Sequence, residues 1–357
     1  MKSLAWLKEN ILKQNLDAVL ITKPTNIRYL SGFTGSSGFL LITKTTDLLI
    51  TDFRYVQQAA GQAKEYKIIR QDADIYKTLK ELFDYNQIKR AGLEKEVVTL
   101  AVFEEYTKRL PGAEFVPISD PCEQMRAIKS EHEIDTVKKA VEIADRAFLH
   151  IRNYLATPGQ TENEIALELE FFMHRMGAER KAFDTIVASG ERASMPHGTA
   201  SGKVIEHGDL VTLDFGAVYD GYHSDMTRTL VIGQPDKKQA EIYELVLEAQ
   251  NAVLERIRPG MRANEADSLA RKIIERAGYA ENFGHGLGHA VGLDIHEGPR
   301  LSPRDETVLQ PGMILTIEPG IYLDGWGGVR IEDMIVLTAH GCEVLTKSPK
   351  ELCDAII

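Results

Sequence analysis

Residues 208–221 of this sequence read GDLVTLDFGAVYDG, and residues 312–325 read GMILTIEPGIYLDG. Both stretches fit Gly-x-x-x-Thr-x-(Asp/Glu)-x-Gly-x-x-x-Asp-Gly, and the second copy follows the first at an offset of 104 residues. In each copy an acidic residue interrupts an apolar strand pattern. The first acids of the two copies are Asp214 and Glu318, and a second acid follows each turn, Asp225 and Glu332.

These four acidic residues predict a cation site. Carboxylates are costly to place among strand residues unless an opposite charge accompanies them. Two matched pairs of carboxylates therefore favour a bound cation, and two cations over one. The alternative is that the acids face solvent and match by coincidence.

The composition is that of an ordinary globular protein. A length of 357 residues favours two domains, and a formal net charge of −11 without a long basic run argues against a nucleic-acid surface. The N-terminus, MKSLAWLKENILKQN, lacks the apolar region of a signal peptide, and no run of about 20 apolar residues predicts a membrane span. The three cysteines are far apart and form no CxxC pair, which favours reduced thiols. We therefore predict a cytoplasmic protein.

The N-terminal third of the chain predicts an α/β domain. Apolar runs at 17–22, 38–43 and 47–52 have the pattern of strands, and helical patterns cover about 54–63 and 74–84. Such alternation is typical of α/β domains.

The domain boundary is predicted from a change in composition. The segment 117–130 contains two prolines, and the composition changes there. We therefore predict an N-terminal domain at 1–125 and a catalytic domain at 126–357.

The second domain repeats an order of two helices followed by an acidic hairpin. Ser130 and Glu133 predict a capping box, after which apolar residues recur at spacings of three and four. A second helix is predicted from Thr161, and helices at about 237–257 and 264–278 repeat this order. We predict an α+β domain with an internal pseudo-twofold repeat, which would bring the two acidic hairpins face to face over one metal site.

A histidine-rich loop lies just before the second hairpin. The segment FGHGLGHAVGLDIHEGP contains His285, His289 and His296. Its glycines follow a helix, which is the wrong order for a phosphate-binding loop, and they would let the backbone approach a site closely. A neutral imidazole beside several carboxylates suits manganese, with zinc or cobalt able to substitute. His197, in MPHGT before the first hairpin, is either a site residue or an ordinary surface histidine.

Four segments of the second domain resemble the metallopeptidases of the pita-bread fold, which include methionine aminopeptidase, aminopeptidase P and prolidase. They are LDFGAVYDGYHSDMTRT, GHGLGHAVGLDIHEGP, TIEPGIY and GVRIED. In the first domain, NIRYLSGFTGSSG and LLITDFRY resemble the accessory domain of aminopeptidase P, prolidase and creatinase. Methionine aminopeptidase lacks that domain, so the resemblance implies a peptidase that acts on Xaa-Pro bonds at the N-terminus of peptides or in dipeptides.

The resemblance implies a centre with two divalent metal ions, manganese being expected. Asp225 and Glu332 would bridge the two ions, Asp214 would bind one, and His289 and Glu318 would bind the other. Glu318 is also expected to take up a proton and pass it toward the leaving proline nitrogen.

Three further histidines receive roles from the same resemblance. His296 and His197 are expected to hydrogen-bond the substrate carbonyl or the tetrahedral oxyanion. His285 is expected to position the substrate.

Two arginines have two interpretations each. Arg330 would orient the acidic ligands, or form an ordinary salt bridge to Glu332 or Asp333. Arg300, four residues after His296, would bind the carboxylate of a dipeptide, or be a surface arginine. Apart from Arg300, no cationic cluster predicts a binding site for the carboxylate of a dipeptide. The sequence therefore favours substrates longer than two residues, with dipeptides as the alternative.

The resemblance also implies a homodimer. In the loop 31–38, Phe33 is expected to be an exposed ring that helps close the active-site entrance of the partner subunit, and the alternative is a simple glycine-rich turn. Other functions considered are a methionine aminopeptidase with an added domain, a metal-free creatinase, and a non-catalytic pita-bread module. The complete set of five ligands argues against the last two.

Overall fold

The computed structural model describes residues 2–357, which form two compact units divided between Arg126 and Ala127. Within the described residues, no helix has both the length and the apolar character needed to cross a bilayer. The three cysteines are free thiols.

The first unit is built on one six-stranded sheet. Its strands are β1 (Ala18–Ile21), β2 (Phe39–Thr43), β3 (Asp47–Thr51), β4 (Lys67–Arg70), β5 (Arg90–Glu94) and β6 (Glu114–Ile118). Its helices are α1 (Lys2–Lys13), α2 (Pro24–Ser31), α3 (Val56–Gln62), α4 (Ile75–Tyr85), α5 (Leu100–Arg109) and α6 (Glu123–Ala127), the last of which crosses the division between units. The strand order is β4-β3-β2-β1-β5-β6, with β2 antiparallel to both neighbours and the other pairs parallel. The predicted α/β fold is confirmed.

The prediction that Phe33 exposes its ring is wrong. Phe33 is only 1% exposed, belongs to the apolar core of the first unit, and packs edge-on against Tyr55 with the ring centroids 6.1 Å apart. A Cβ atom at Gly35 would lie 2.2 Å from this ring, so the glycine leaves the space that the ring fills. Burying such a ring stabilises the fold by about 1.5–3 kcal/mol, which is why the glycine-rich loop folds inward over it.

The second unit contains four long helices and several small sheets. Its helices are α7 (Glu131–Leu155), α8 (Glu162–Arg175), α9 (Lys237–Leu254), α10 (Ala263–Arg276) and the short α11 (Leu352–Ala355). Its strands are β7 (Arg180–Lys181), β8 (Ile186–Ser189), β9 (Leu210–Phe215), β10 (Ala217–Tyr219), β11 (Tyr222–His223), β12 (Met226–Val231), β13 (Gly288–Ala290), β14 (Glu297–Leu301), β15 (Ile314–Ile317), β16 (Gly320–Leu323), β17 (Gly327–Arg330), β18 (Asp333–Leu337) and β19 (Cys342–Val344). Two 3-10 turns, Gly190–Ser194 and Ala280–Asn282, complete the unit.

The helix starts follow from local sequence. Ser130 and Glu133 form the predicted capping box, and Thr161 and Glu164 form another at the start of α8. In each box the two side chains satisfy backbone donors that the first helical turn leaves free. The helix predicted to end near residue 257 ends at Leu254, and Glu255 after it keeps a right-handed helical conformation.

The internal repeat is visible in the sheets. In the first half, β9 lies between β8 and β12, and in the second half β15 lies between β13 and β18. Gly208 and Gly312, which precede β9 and β15, have φ angles of 91° and 85°, a left-handed conformation that favours glycine. Buried apolar side chains from both halves form one core. The predicted α+β domain with an internal repeat is confirmed, and its two acidic hairpins belong to corresponding strands.

Candidate metal centre and active site

The two hairpins bring their acidic residues together. Asp214 lies in β9 and Asp225 directly precedes β12, while Glu318 directly follows β15 and Glu332 lies between β17 and β18. Oxygen atoms of Asp214, Asp225 and Glu332 all lie within 4.8 Å of one another. Each half of the repeat therefore contributes acids to a single cluster.

His289, in β13, faces this cluster. Its Nε2 atom lies 3.5 Å from Asp225 Oδ2 and 3.5 Å from Glu318 Oε1. Its Nδ1 atom lies 3.1 Å from the Ala290 carbonyl oxygen, which can only accept a hydrogen bond, so the Nε2 lone pair points toward the carboxylates. Burial lowers the pKa of His289 to about 4, and the imidazole is therefore neutral at pH 7. A lone pair that faces two carboxylates is the arrangement of ligands around a cation.

Burial and mutual repulsion make the cluster electrostatically unfavourable without a cation. Burial raises the pKa of Asp225 and of Glu332 well above the usual carboxyl range, and neighbouring carboxylates raise both further. Burial also raises the pKa of Asp214, and that of Glu318 to about 7. Within residues 2–357, the buried oxygens Asp214 Oδ1 and Glu332 Oε1 have no hydrogen-bond partner. Because such orphaned buried atoms are rare, these carboxylates and His289 fit the ligand set of divalent cations.

Two threonines hold the acidic side chains in place. The Thr316 hydroxyl donates to Glu318 Oε1 at 3.1 Å and accepts from the His289 backbone N–H at 3.0 Å. The Thr227 hydroxyl donates to Glu332 Oε2 at 2.8 Å. Thr316 belongs to the repeated motif, so the motif itself was the signal that could have identified it.

Arg330 forms its ion pair with Asp214. Its Nη2 atom donates to Asp214 Oδ2 at 2.6 Å, its Nε to the Thr227 hydroxyl at 3.0 Å and its Nη1 to the Tyr322 hydroxyl at 2.8 Å. Arg330 is only 3% exposed. The observed ion-pair partner is thus Asp214, whereas the alternative named Glu332 or Asp333. That Arg330 orients the acidic ligands stays a prediction.

A cavity of about 950 Å³ contains the ten residues of this unit that the sequence singled out. They are His197, Asp214, Asp225, His285, His289, His296, Arg300, Glu318, Arg330 and Glu332. His197, His296 and Arg300 are exposed on its wall. The cavity wall partly shields His296 from water, which lowers its pKa, and the charge of Arg300 lowers it further, so both effects favour the neutral imidazole. The cavity thus joins buried acids to accessible hydrogen-bonding groups.

Tyr322 connects Arg330 to His285 and was not identified from the sequence. Its hydroxyl lies 3.0 Å from His285 Nε2, and His285 Nδ1 lies 2.8 Å from the Gly286 carbonyl oxygen. His285 therefore donates through Nδ1 and accepts the tyrosine hydroxyl proton through Nε2. Burial lowers its pKa to about 4, in keeping with a neutral ring. At the 104-residue offset of the repeat, Tyr322 corresponds to Val218. The replacement of an apolar residue by one with a hydroxyl group was the sequence signal that could have identified Tyr322.

The glycines of the histidine loop do allow a close backbone approach. A Cβ atom at Gly288 would lie 2.1 Å from the Thr316 carbonyl oxygen. Only a residue without a side chain lets β13 lie this near β15, and this approach sets the position of His289 next to Glu318.

Helix α10 holds the same loop from the other side. Asp267, 1% exposed, accepts from Arg271 Nε at 2.7 Å and from the Leu287 backbone N–H at 3.1 Å. Arg271 in turn donates to the carbonyl oxygens of Phe283 and His285 at 2.9 and 2.8 Å. This pair was missed, although its i,i+4 spacing on a helix is a recognisable signal.

A buried ionic group lies behind Glu332. Arg228, 1% exposed, donates to the Glu332 carbonyl oxygen at 2.5 Å and to Asp333 Oδ1 at 2.7 Å. Lys350 donates to the other oxygen of Asp333, also at 2.7 Å. This group fixes the main chain that carries Glu332.

Comparison with known proteins identifies both parts of the chain. Residues 135–339 match metallopeptidase family M24, and residues 4–128 match the creatinase/prolidase N-terminal domain. An Xaa-Pro dipeptidase of Pyrococcus horikoshii is 46% identical over 346 residues, which cover 95% of this chain and 95% of that protein.

Solved structures agree over the whole length. The structure of an Xaa-Pro dipeptidase from Bacillus anthracis is 46% identical with a TM-score of 0.97, and the match covers 100% of this chain and 99% of that one. The structure of an X-Pro aminopeptidase from Thermotoga maritima is 42% identical with a TM-score of 0.89, covering 96% of this chain and 98% of that one. With the family model, the full-length relatives and the acidic cluster in agreement, this chain belongs to metallopeptidase family M24 and carries a creatinase/prolidase N-terminal domain.

Proposed function

We propose that this metallopeptidase hydrolyses Xaa-Pro dipeptides and releases proline. The observation that carries the proposal is the cavity, in which Arg300 lines the same space as the acidic cluster, together with His197, His285 and His296. The names of the relatives from Pyrococcus horikoshii and Bacillus anthracis, both Xaa-Pro dipeptidases, support this substrate class. Together with the position of Arg300, they favour dipeptides over the longer peptides that the sequence favours.

The proposed metal ligands are Asp214, Asp225, His289, Glu318 and Glu332. Two divalent ions bound there, Mn²⁺ in our proposal, would supply Lewis acidity and would lower the pKa of a water molecule toward neutrality. The buried orphan oxygens and the neutral imidazole support the ligand set.

The remaining roles belong to side chains of the cavity wall. Glu318 accepts the proton of the water molecule that attacks the scissile carbonyl carbon. It then passes this proton to the proline nitrogen, which leaves as the C–N bond breaks. His197 and His296 donate hydrogen bonds to the scissile carbonyl oxygen, whose negative charge grows in the transition state. His285 positions the substrate, with its ring held by Tyr322.

Arg300 is proposed to bind the free carboxylate of the dipeptide. It is exposed, lines the cavity, and lies opposite His289 in the pairing of β13 with β14. A guanidinium can donate two parallel hydrogen bonds to a carboxylate, a geometry that a blocked or extended C-terminus does not offer.

The test compares Xaa-Pro, Xaa-Pro-Yaa and Xaa-Ala peptides with manganese-loaded enzyme. We expect Xaa-Pro to be cleaved at least about tenfold faster than Xaa-Ala, a difference of ~1.4 kcal/mol. Arg300→Ala is expected to impair dipeptide cleavage and spare tripeptides, and Arg304→Ala, at an exposed position on the same segment, is the matched control. Preferential release of methionine from Met-Yaa peptides would instead support the methionine aminopeptidase alternative. Equal effects of Arg300→Ala on both substrate lengths would remove Arg300 from the site.

We also propose that the enzyme is a cytoplasmic homodimer, with catalysis in residues 126–357 and an accessory domain in residues 1–125. The resemblance of the accessory domain to that of dimeric relatives supports the dimer, but Phe33 no longer takes part because its ring is buried. Light scattering across a range of protein concentrations tests the dimer, and a monomer at every concentration would contradict it.

A further inference from the structure

The loop that carries His197 is held at both ends by one buried carboxylate. This loop runs from Ser189, at the end of β8, to Ser201, and His197 reaches the cavity wall from its middle. Glu162, the first residue of α8, is 0% exposed and lies where the two ends of the loop meet.

Both oxygens of Glu162 accept hydrogen bonds from the loop. Oε1 accepts from the backbone N–H and the hydroxyl of Ser189 at 2.8 and 2.9 Å. Oε2 accepts from the backbone N–H and the hydroxyl of Ser201 at 3.0 and 2.6 Å, and from Arg192 Nε at 3.0 Å. A carboxylate is suited to this position because it accepts at both oxygens and donates at neither.

The segment around His197 is tied to the same group. Arg192 donates from Nη2 to the Thr199 carbonyl oxygen at 2.6 Å, two residues beyond His197. On the other side, Arg330 Nη1 donates to the Pro196 carbonyl oxygen at 3.2 Å. The backbone on both sides of His197 is therefore fixed, from Glu162 through Arg192 and from the acidic cluster through Arg330.

We propose that Glu162 is a positioning residue, which holds His197 where its side chain can donate a hydrogen bond to the scissile carbonyl oxygen. The catalytic consequence rests on the proposed function, but the placement of His197 does not. Glutamine at position 162 would keep one acceptor, present an N–H₂ group to donors of the loop and remove the charge that pairs with Arg192. A displacement of about 1 Å at a reacting centre can lower the rate by about 10²-fold.

A purely structural role must be separated from positioning. Glu162 lies in the first turn of α8, where a negative charge also favours the helix dipole. Glu164 lies in the same turn, is exposed, and completes the capping box with Thr161. Glu164→Gln therefore perturbs the same helix start without changing a contact to the loop.

The kinetic test is a double-mutant cycle on manganese-loaded enzyme. Glu162→Gln is expected to lower kcat for an Xaa-Pro dipeptide by about 10–100-fold with KM and metal content little changed, and Glu164→Gln by less than about twofold. In a His197→Ala background, Glu162→Gln is expected to add less than about a twofold loss. An unchanged kcat in the single variant, or an independent loss in the His197→Ala background, would overturn the proposal.

A second measurement does not depend on peptidase activity. In protein labelled with ¹⁵N-histidine, Glu162→Gln is expected to shift or broaden the imidazole signals of His197 and leave those of exposed His340 unchanged. If the wild-type enzyme fails to cleave Xaa-Pro peptides while these signals respond, the proposed function fails and the positioning role stands. Unchanged His197 signals would refute the positioning role in either case. Ser201→Ala, which removes one donor to Glu162, gives the same comparison in a milder variant if Glu162→Gln does not fold.

Discussion

In metal-free protein, replacing Glu318 by glutamine is expected to raise stability near neutral pH. Burial raises the pKa of this carboxyl from an ordinary value of 4.5 to about 7, so the folded state binds a proton that the unfolded chain releases. The stability linked to Glu318 is therefore fully present below about pH 4.5 and is lost as the pH rises through about 7. Glutamine remains neutral across this range and still accepts the hydrogen bond from Thr316.

The size of the effect follows from the shift. A rise of the Glu318 pKa from 4.5 to about 7 lowers the free energy of unfolding by about 3 kcal/mol between low and high pH, because one pKa unit corresponds to about 1.36 kcal/mol. For a domain of this size, about 1 kcal/mol moves the midpoint of thermal unfolding by about 2–4 °C. Metal-free Glu318→Gln protein is thus expected to unfold about 6–12 °C above the wild type near pH 8, and at a similar temperature near pH 4.

The assay is thermal unfolding of chelator-treated protein, followed by circular dichroism between about pH 4 and pH 8. Glu248→Gln, at an exposed position of α9, controls for the loss of one charge. Added Mn²⁺ is expected to reverse the order and stabilise the wild type more than Glu318→Gln. A metal-free variant that unfolds at or below the wild-type temperature near pH 8, or that keeps the wild-type pH dependence, would refute the electrostatic reasoning.

Three further substitutions test separate parts of the structure. Arg330→Lys keeps the charge but cannot contact Asp214, Thr227 and Tyr322 at the same time. Metal affinity should therefore fall about 10–100-fold by calorimetric titration, and an unchanged affinity would contradict an orienting role. His289→Ala should bind less metal by elemental analysis, whereas His197→Ala should keep its metal and lose about 10²–10³-fold in turnover; the reverse pattern would exchange their roles. Phe33→Ala should lower the free energy of unfolding by about 3–5 kcal/mol, measured by urea denaturation. A loss of activity without this loss of stability would indicate that Phe33 acts at the active site after all.

The parts of the fold that could be predicted from sequence depend on local interactions. The capping boxes of α7 and α8 are made by residues three apart in the chain, and the repeat is visible because both copies keep the same pattern. The resemblance to pita-bread metallopeptidases adds long-range information that spacing alone lacks. For that reason the acids of the two hairpins could be assigned to one cluster before the fold was known.

The missed features depend on contacts between distant segments. The glycine neighbours of Phe33 resemble a surface turn and so predict an exposed ring, yet those glycines leave room for the buried ring. The partner of Arg330 was ambiguous because Asp214 lies 116 residues away, beyond any local pattern. Glu162 carried no signal at all, since its contacts with the His197 loop arise only when α8 packs beside β8.

The balance of charge around the proposed metal site bears on how strongly that site attracts cations. The four carboxylates carry a formal charge of −4, which Arg330 reduces by one. Arg228 and Lys350 share one acid, Asp333, and so place one further net positive charge behind Glu332. The protein side chains thus leave a formal charge of −2, which attracts divalent cations. Complete neutralisation by cationic side chains would weaken that attraction. Without any cationic side chains, the repulsion among the four carboxylates would oppose folding more strongly. Two divalent ions would reverse the charge to +2, which suits both the carboxylate of a dipeptide and the oxygen that becomes negative in the transition state. The buried arginines are therefore as much a part of the proposed metal site as the ligands, because they set how strongly it attracts first cations and then an anionic substrate.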